Sequence, residues 1–325
     1  MLLADAVCDV EELLSLLELP PHCLGEPAEA TLSARRFALR VPRGFVARMR
    51  TGDRGDPLLR QVLPVDLETR PAAGFTSDPV GELRRPPEDG VLHKYSGRAL
   101  VVLTGACAIH CRYCFRRHFP FTELGTGGDW EAAVGRIAAD PEISEVILSG
   151  GDPLTLADGP LGELVQALAA VPHMRRLRIH TRLPIVLPQR VDAGLVGWMD
   201  SVEMPLVVVV HANHAREIDD EVRRALGALA ATGATLLNQA VLLRGVNDTV
   251  DALADLSEVL FDTDVLPYYL HMLDPVEGAA HFAVPEDEAR RLHAGLASRL
   301  PGYLVPRLVR EVEGAPAKVG VDLWA

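Results

Sequence analysis

Three cysteines stand within eight positions, in CAIHCRYC over residues 107–114. The C-x3-C-x2-C spacing lets one loop turn Cys107, Cys111 and Cys114 inward together. Four thiolates would normally close an iron–sulfur cube, so a set of three leaves one iron without a protein ligand and open to a small molecule. The competing reading is zinc: His110 and His118 are close by, but structural zinc wants four ligands and the spacing matches no usual knuckle. Cys8 and Cys23 stand apart near the start and read as ordinary thiols, and five cysteines in 325 residues make no disulfide scaffold.

A second signal is LSGGDPL, residues 148–154. Gly150 and Gly151 allow backbone to approach a ligand closely, and Ser149 or Asp152 can accept an ammonium. The third signal is a scarcity. Among 32 basic residues only Lys94 and Lys318 are lysine, so these two positions are candidates for needing an amine. Lys318 sits in the Gly/Pro-containing loop EVEGAPAKVGVDLW. An exposed tail lysine is the bland alternative, but a Schiff base to an aldehyde cofactor needs a primary amine that guanidinium cannot supply.

These residues need a scaffold that gathers them. From residue 98 onward, short β-branched runs alternate with longer amphipathic ones, which specifies parallel strands with crossover helices. Strands are expected at RALVVLT, EVILSG, LRIHT, LVVVVH, TLLNQAV and VLPYYL, with helices near Trp130–Ala139, Leu161–Val171, Gln189–Met199, Asp219–Ala231, Asp248–Phe261 and Pro285–Leu300. Six βα units predict an α/β fold, a partial (β/α)6 TIM-like barrel, with the chemistry at the carboxyl ends of the strands. Residues 1–90 are expected to form an N-terminal helical and wrapping segment, helical over Val10–Leu17 and again from Leu32 to Arg50, divided at Pro42 and Gly44. Residues 91–325 form the barrel with its C-terminal lysine loop.

A formal charge of -13 opposes a broad nucleic-acid surface. The acidic start lacks the basic onset of a secretory signal, and no apolar run reaches membrane-spanning length. The expectation is a cytoplasmic protein with neither nucleic-acid nor membrane partner.

The cysteine spacing, with an aromatic before the last cysteine, resembles the radical S-adenosylmethionine superfamily. Together HKY, CRYCFRRHF, SGGDPL, TRLPIVLPQRV, LLNQAVLLRGVND, PYYLHMLDPVEGAAHF and the terminal lysine loop resemble the lysine 2,3-aminomutase family over residues 32–325. The resemblance implies a [4Fe-4S] cluster, S-adenosyl-L-methionine chelating its open iron, pyridoxal 5'-phosphate, and an external one-electron donor. It implies that Lys318 bonds the pyridoxal aldehyde. Tyr95 would contact the ring region, and Lys94 and Arg98 would hold the phosphate, with Lys94 standing where the family commonly has arginine. Arg116 would pair with the substrate carboxylate, and Asp274 and Glu311 would receive its side-chain ammonium. Ser149, Gly150, Gly151, Asp152, His211 and Gln239 would contact S-adenosylmethionine.

Two acids at 274 and 311 imply L-lysine, because a relative acting on glutamate would carry neutral or basic groups there. The CFRRHFPF block and the ending soon after the lysine loop resemble the branch that makes (R)-β-lysine for elongation factor P, which implies a functional link to a ligase. Free-standing aminomutases continue into an assembly segment, so the resemblance carries over neither a family-type tetramer nor a structural zinc and leaves the oligomeric state open. The alternatives are an aminomutase for another amino acid, a radical enzyme without pyridoxal, and a non-catalytic zinc-binding adaptor.

Overall fold

The computed structural model describes residues 2–21, 25–126 and 129–321; Cys23 lies outside them. Two short strands, β1 (Ala6–Val7) and β2 (Val41–Pro42), pair antiparallel near the start. Between them lie helix α1 (Val10–Leu16), whose first turn is capped by the Asp9 side chain on the Glu12 N–H, and α2 (Pro27–Arg36), with proline at its first position. The helical run expected from Leu32 to Arg50, divided at Pro42 and Gly44, ends earlier: α2 stops at Arg36, Pro42 lies in β2, and Gly44 lies inside the single turn Arg43–Val46.

The main sheet then follows: β3 (Val91–Tyr95), β4 (Arg98–Thr104), β5 (Glu145–Gly150), β6 (Arg176–Thr181), β7 (Leu206–Val210), β8 (Thr235–Val241), β9 (Val265–His271), β10 (Arg307–Arg310) and β11 (Val319–Gly320). Among the described residues it has nine strands in the order β11-β10-β9-β8-β7-β6-β5-β4-β3. The run from β4 to β10 is parallel, and β3 and β11 cap it antiparallel. The crossovers are α3 (Glu131–Ala139), α4 (Asp158–Ala169), α5 (Ala193–Asp200), α6 (Asp220–Ala231), α7 (Val250–Phe261) and α8 (Glu286–Arg299).

Six βα units are therefore present, as the alternation predicts, and β10 adds a strand that the pattern did not reveal. Its four residues, RLVR, are charged at both ends and bury only Leu308 and Val309, too short a run to show a period.

The strands buried on both faces are continuous apolar runs, as in LVVVV of β7. The helices are one-sided: α6 buries Val222, Ala225, Leu226 and Leu229, the i, i+3, i+4, i+7 stripe that seats it on the sheet. Asp219, Asp192 and Thr249 cap α6, α5 and α7 with side-chain oxygens on backbone N–H groups.

One apolar core runs from Val7 through the strands to Val321, so the first 90 residues pack continuously with the barrel. Thr76 exchanges backbone hydrogen bonds with Pro275 and Glu277, and the Val80 carbonyl accepts from Lys94. No helix of the described residues is long and apolar enough to cross a membrane.

Candidate active site

The cysteine loop leaves the end of β4 and is fixed from behind by the wrapping segment. Backbone N–H groups of His110 and Arg112 donate to the carbonyls of Arg40 and Gln61. Arg112, wholly buried, forks onto Glu68 at 2.9 and 2.5 Å and also donates to the Ser33 and Phe37 carbonyls. Glu68 takes a further bond from Arg117 at 2.7 Å. This charge-assisted fork converts a flexible loop into a fixed one.

Cys107, Cys111 and Cys114 all line one cavity of about 800 Å³ at the carboxyl ends of the strands, a size within the range of small-molecule sites. Burial pushes the Cys107 thiol up, and Asp152, Cys114 and Cys111 push it further. Burial and Cys111 raise Cys114 to about 11. Two thiols that resist ionisation because of burial, beside a third on the same loop, suit a polynuclear cationic centre that would neutralise all three. Among the described residues no three His, Cys, Asp or Glu side chains converge on a point that a single metal ion could hold.

Gly150 and Gly151 are close to backbone, but the backbone belongs to the cysteine loop. A Cβ on Gly150, where φ is +135°, would lie 2.4 Å from the Thr104 carbonyl oxygen, and one on Gly151 would lie 2.3 Å from that of Ala106. The N–H groups of Gly151 and Asp152 donate to those same two carbonyls. The glycines thus lock the turn after β5 against the root of the loop.

Asp152 is not an open acceptor. Its carboxylate takes the N–H groups of Leu154, Arg182 and Leu183 and the Thr181 hydroxyl, at 2.7 to 3.1 Å. Burial raises it in spite of these bonds. Ser149 is free to act as a donor, its oxygen accepting from Arg116 at 3.1 Å.

Arg116 is buried and forks onto Glu82 of the wrapping segment, Nε and Nη2 each at 2.8 Å, while Nη1 donates to Ser149 and to the Gly150 carbonyl. Four of its five N–H groups are engaged.

At the β10 side of the cavity, Glu311 collects Lys318 at 3.0 Å, Lys94 at 2.6 Å and the Tyr95 hydroxyl. Burial opposes its ionisation, but Lys318, Lys94 and Tyr95 pull it down to about 2. Tyr95 rises in turn through burial and the Glu311 bond. Asp274 behaves oppositely. Burial and the nearby Glu311 charge raise it to about 7, and no side-chain partner meets its carboxylate among the described residues. The two acids expected to act as an equal pair therefore differ: Glu311 is already compensated by three donors, and Asp274 is the acid that lacks a cation.

Four residues that sequence reasoning passed over face this cavity: Arg178, His180, Arg182 and Glu82. The Nε atoms of Arg98 and Arg178 and Nε2 of His180 are buried without a hydrogen-bond partner. Burial, then Arg178, Lys318, Arg116 and His271, drives the His180 imidazole well below its ordinary range. So many N–H groups and cations around Lys318 form a cradle for an anion, which the phosphate of pyridoxal phosphate would fill. Arg178 and His180 alternate with Leu177 and Ile179 along β6, and that R-x-H period of two was the available signal.

His211, at the end of β7, bonds the Tyr113 hydroxyl at 2.9 Å, and burial followed by the Arg182 charge lowers it to about 3. It is a neutral imidazole in the cavity wall. Gln239 on β8 also lines the cavity.

Residues 96–176, which include the cysteine loop and the turn after β5, match the family described as a 4Fe-4S single cluster domain. An L-lysine 2,3-aminomutase of Escherichia coli (strain K12) is 50% identical over 323 residues, covering 99% of this chain and 93% of its own length. One of Haemophilus influenzae (strain ATCC 51907 / DSM 11121 / KW20 / Rd) is 46% identical over 319 residues, covering 98% and 93%. A solved radical SAM methyltransferase from Sphaerobacter thermophilus superposes with a TM-score of 0.43 at 19% identity, over 68% of each chain. Identity at this level across nearly the whole of both curated relatives shows that the chain belongs to the radical S-adenosylmethionine lysine 2,3-aminomutase family of isomerases.

Proposed function

We propose that this protein converts L-lysine to (R)-β-lysine, using a [4Fe-4S] cluster on Cys107, Cys111 and Cys114, S-adenosylmethionine, and pyridoxal 5'-phosphate bonded to Lys318. The observation that carries the reading is the cavity itself. The three thiols, the amine of Lys318 and the acid Asp274 line one cavity, which supports radical generation, amine chemistry and cation recognition in one place.

When bound, the cluster and S-adenosylmethionine would supply a hydrogen-abstracting radical, and pyridoxal phosphate would supply an aldehyde to carry the migrating amino group. The chain's own residues position and exclude. Arg98, Arg178 and His180 offer buried N–H groups to the phosphate, and Lys94 and Tyr95 hold Glu311 in place behind Lys318. Ser149 and the main chain of Gly150 and Gly151, beside the cysteine loop, would hold the methionine end of S-adenosylmethionine, with His211 and Gln239 lining the same cavity and Asp152 holding the turn.

Arg116 receives the substrate carboxylate. With four N–H groups engaged, binding a second carboxylate there requires Glu82 or the Ser149 and Gly150 contacts to yield. Asp274 receives the ε-ammonium. The wrapping residues Val80, Gly81 and Glu82 line the cavity and shield it from water, which a carbon radical must avoid. The product feeds a ligase that modifies elongation factor P, and the reducing electron comes from an external donor.

The test is anaerobic incubation of reconstituted protein with lysine, S-adenosylmethionine, pyridoxal phosphate and dithionite. β-Lysine should accumulate. A reconstituted protein that leaves lysine unchanged, while isomerising another amino acid in a substrate panel, overturns the assignment.

A further inference from the structure

Arg182 follows the last residue of β6 and is buried, 7% exposed. Its Nη1 lies 2.6 Å from Cys111 Sγ and 2.6 Å from the Tyr113 hydroxyl, and its Nη2 donates to Gln61 Oε1 at 2.7 Å and to Glu217 Oε2 at 2.9 Å. Glu217 is wholly buried and is itself fixed by the N–H groups of Asn213 and His214 and by the Gln61 amide. The rings of Phe45 and Tyr113 flank the guanidinium at 5.7 and 5.8 Å. A purely structural arginine would be satisfied by Glu217 and neutral oxygens. Here one N–H of a buried cation is spent on sulfur, which is a poor acceptor as a thiol and a strong one as a thiolate.

The geometry points to Arg182 as a positioning residue that acts through Cys111 to favour the one-electron-reduced form of the cluster, with Glu217 setting how much of its charge the cluster feels. The inference rests on the assignment of the cluster to Cys107, Cys111 and Cys114. One electron passes from the external donor to the cluster; Arg182 exchanges neither proton nor bond. A hydrogen bond and a positive charge at a ligand sulfur both favour the added negative charge, and these are the levers that set iron–sulfur potentials.

The experiment is a mediated redox titration of anaerobically reconstituted protein, followed by electron paramagnetic resonance, with iron and sulfide content measured on each sample. Arg182→Met alone strands a buried carboxylate, so it is paired with Glu217→Gln, which keeps the buried charge balanced and protects folding. The pair should lower the ratio of reduced to oxidised cluster at fixed potential by about tenfold, or ~59 mV for one electron. Glu217→Gln alone leaves the cation uncompensated and should shift the potential the opposite way. A loosened structure would move both variants in the same direction, so equal or like-signed shifts at matched iron content overturn the proposal. A wild-type protein that takes up no four-iron cluster overturns the cluster assignment, and this inference with it.

Discussion

Asp274 offers the sharpest test, because its environment sets both a binding and a stability effect with opposite consequences. Raising a carboxyl from 3.8 to about 7 corresponds to about 4 kcal/mol of disfavoured ionisation, at ~1.4 kcal/mol per tenfold. The carboxylate faces the cavity, so water there makes this figure an upper bound. In the substrate-free protein the folded state keeps a proton that the unfolded chain releases. The resulting penalty is absent below the ordinary carboxyl range, grows as pH rises toward 7 and is full above it. Asp274→Asn removes the penalty, so the substrate-free variant should melt higher than wild type, by more at about pH 8 than at about pH 5.

Substrate reverses the sign. Lysine's ε-ammonium stays charged across this range and binds the ionised acid, so each pH unit below about 7 must release a proton to bind and the KM for lysine should rise roughly tenfold per unit. Asp274→Asn should flatten that profile and raise KM on the order of 10²-fold, the loss expected when one partner of an enclosed charge-assisted pair is removed. The assay is initial-rate β-lysine formation at saturating cofactors between about pH 6 and pH 8. A wild-type KM flat over that interval, or an Asp274→Asn protein no more stable at about pH 8, refutes the reasoning.

Lys318→Ala should abolish the visible band of lysine-bonded pyridoxal and leave the iron–sulfur absorption intact; persistence of the first band excludes Lys318 as the attachment point. Gly151→Ala places a Cβ 2.3 Å from the Ala106 carbonyl oxygen, so it should push the cysteine loop off its seat and lower the iron bound after reconstitution, and unchanged iron would contradict that account. Glu68→Gln strips Arg112 and Arg117 of their shared carboxylate, wholly enclosed in the protein, and should cost about 3–5 kcal/mol; a denaturant midpoint that barely moves would show that the carbonyls of Ser33 and Phe37 suffice.

What could be read from residues alone was whatever repeats or is scarce. The alternation of β-branched and amphipathic runs gave six βα units, three crowded cysteines announced a shared centre, and two lysines among many arginines marked Lys318. Glu82 could not be found this way. It sits in a Pro/Gly-rich stretch with no period, and only the folded path of that stretch brings it onto Arg116. Arg182 was hidden for a different reason, since one arginine after a strand is indistinguishable from a surface residue until its four acceptors are in view. The glycines were legible as a close approach, but not as one to the root of the cysteine loop, because a ligand and a neighbouring loop make the same demand on Cβ. The two acids were read as equals since sequence cannot show that Lys94, Tyr95 and Lys318 all converge on Glu311.

The remaining imbalance in the cavity argues for the substrate. On one side Nε of Arg98, Nε of Arg178 and Nε2 of His180 are buried without a hydrogen-bond partner, while Arg116 is already forked onto Glu82. On the other, burial and the Glu311 charge raise the Asp274 carboxyl to about 7 against the pull of Lys318 and Lys94. A molecule that balances both sides carries a carboxylate at one end and an ammonium at the other, beside a phosphate-bearing cofactor. Glutamate would set a second carboxylate against Asp274 and Glu311, and acids in such proximity cannot all ionise. Lysine would turn the same cost into discrimination: its ε-ammonium would favour the ionised form of Asp274, so a substrate with a cationic tail would offset the burial of that acid.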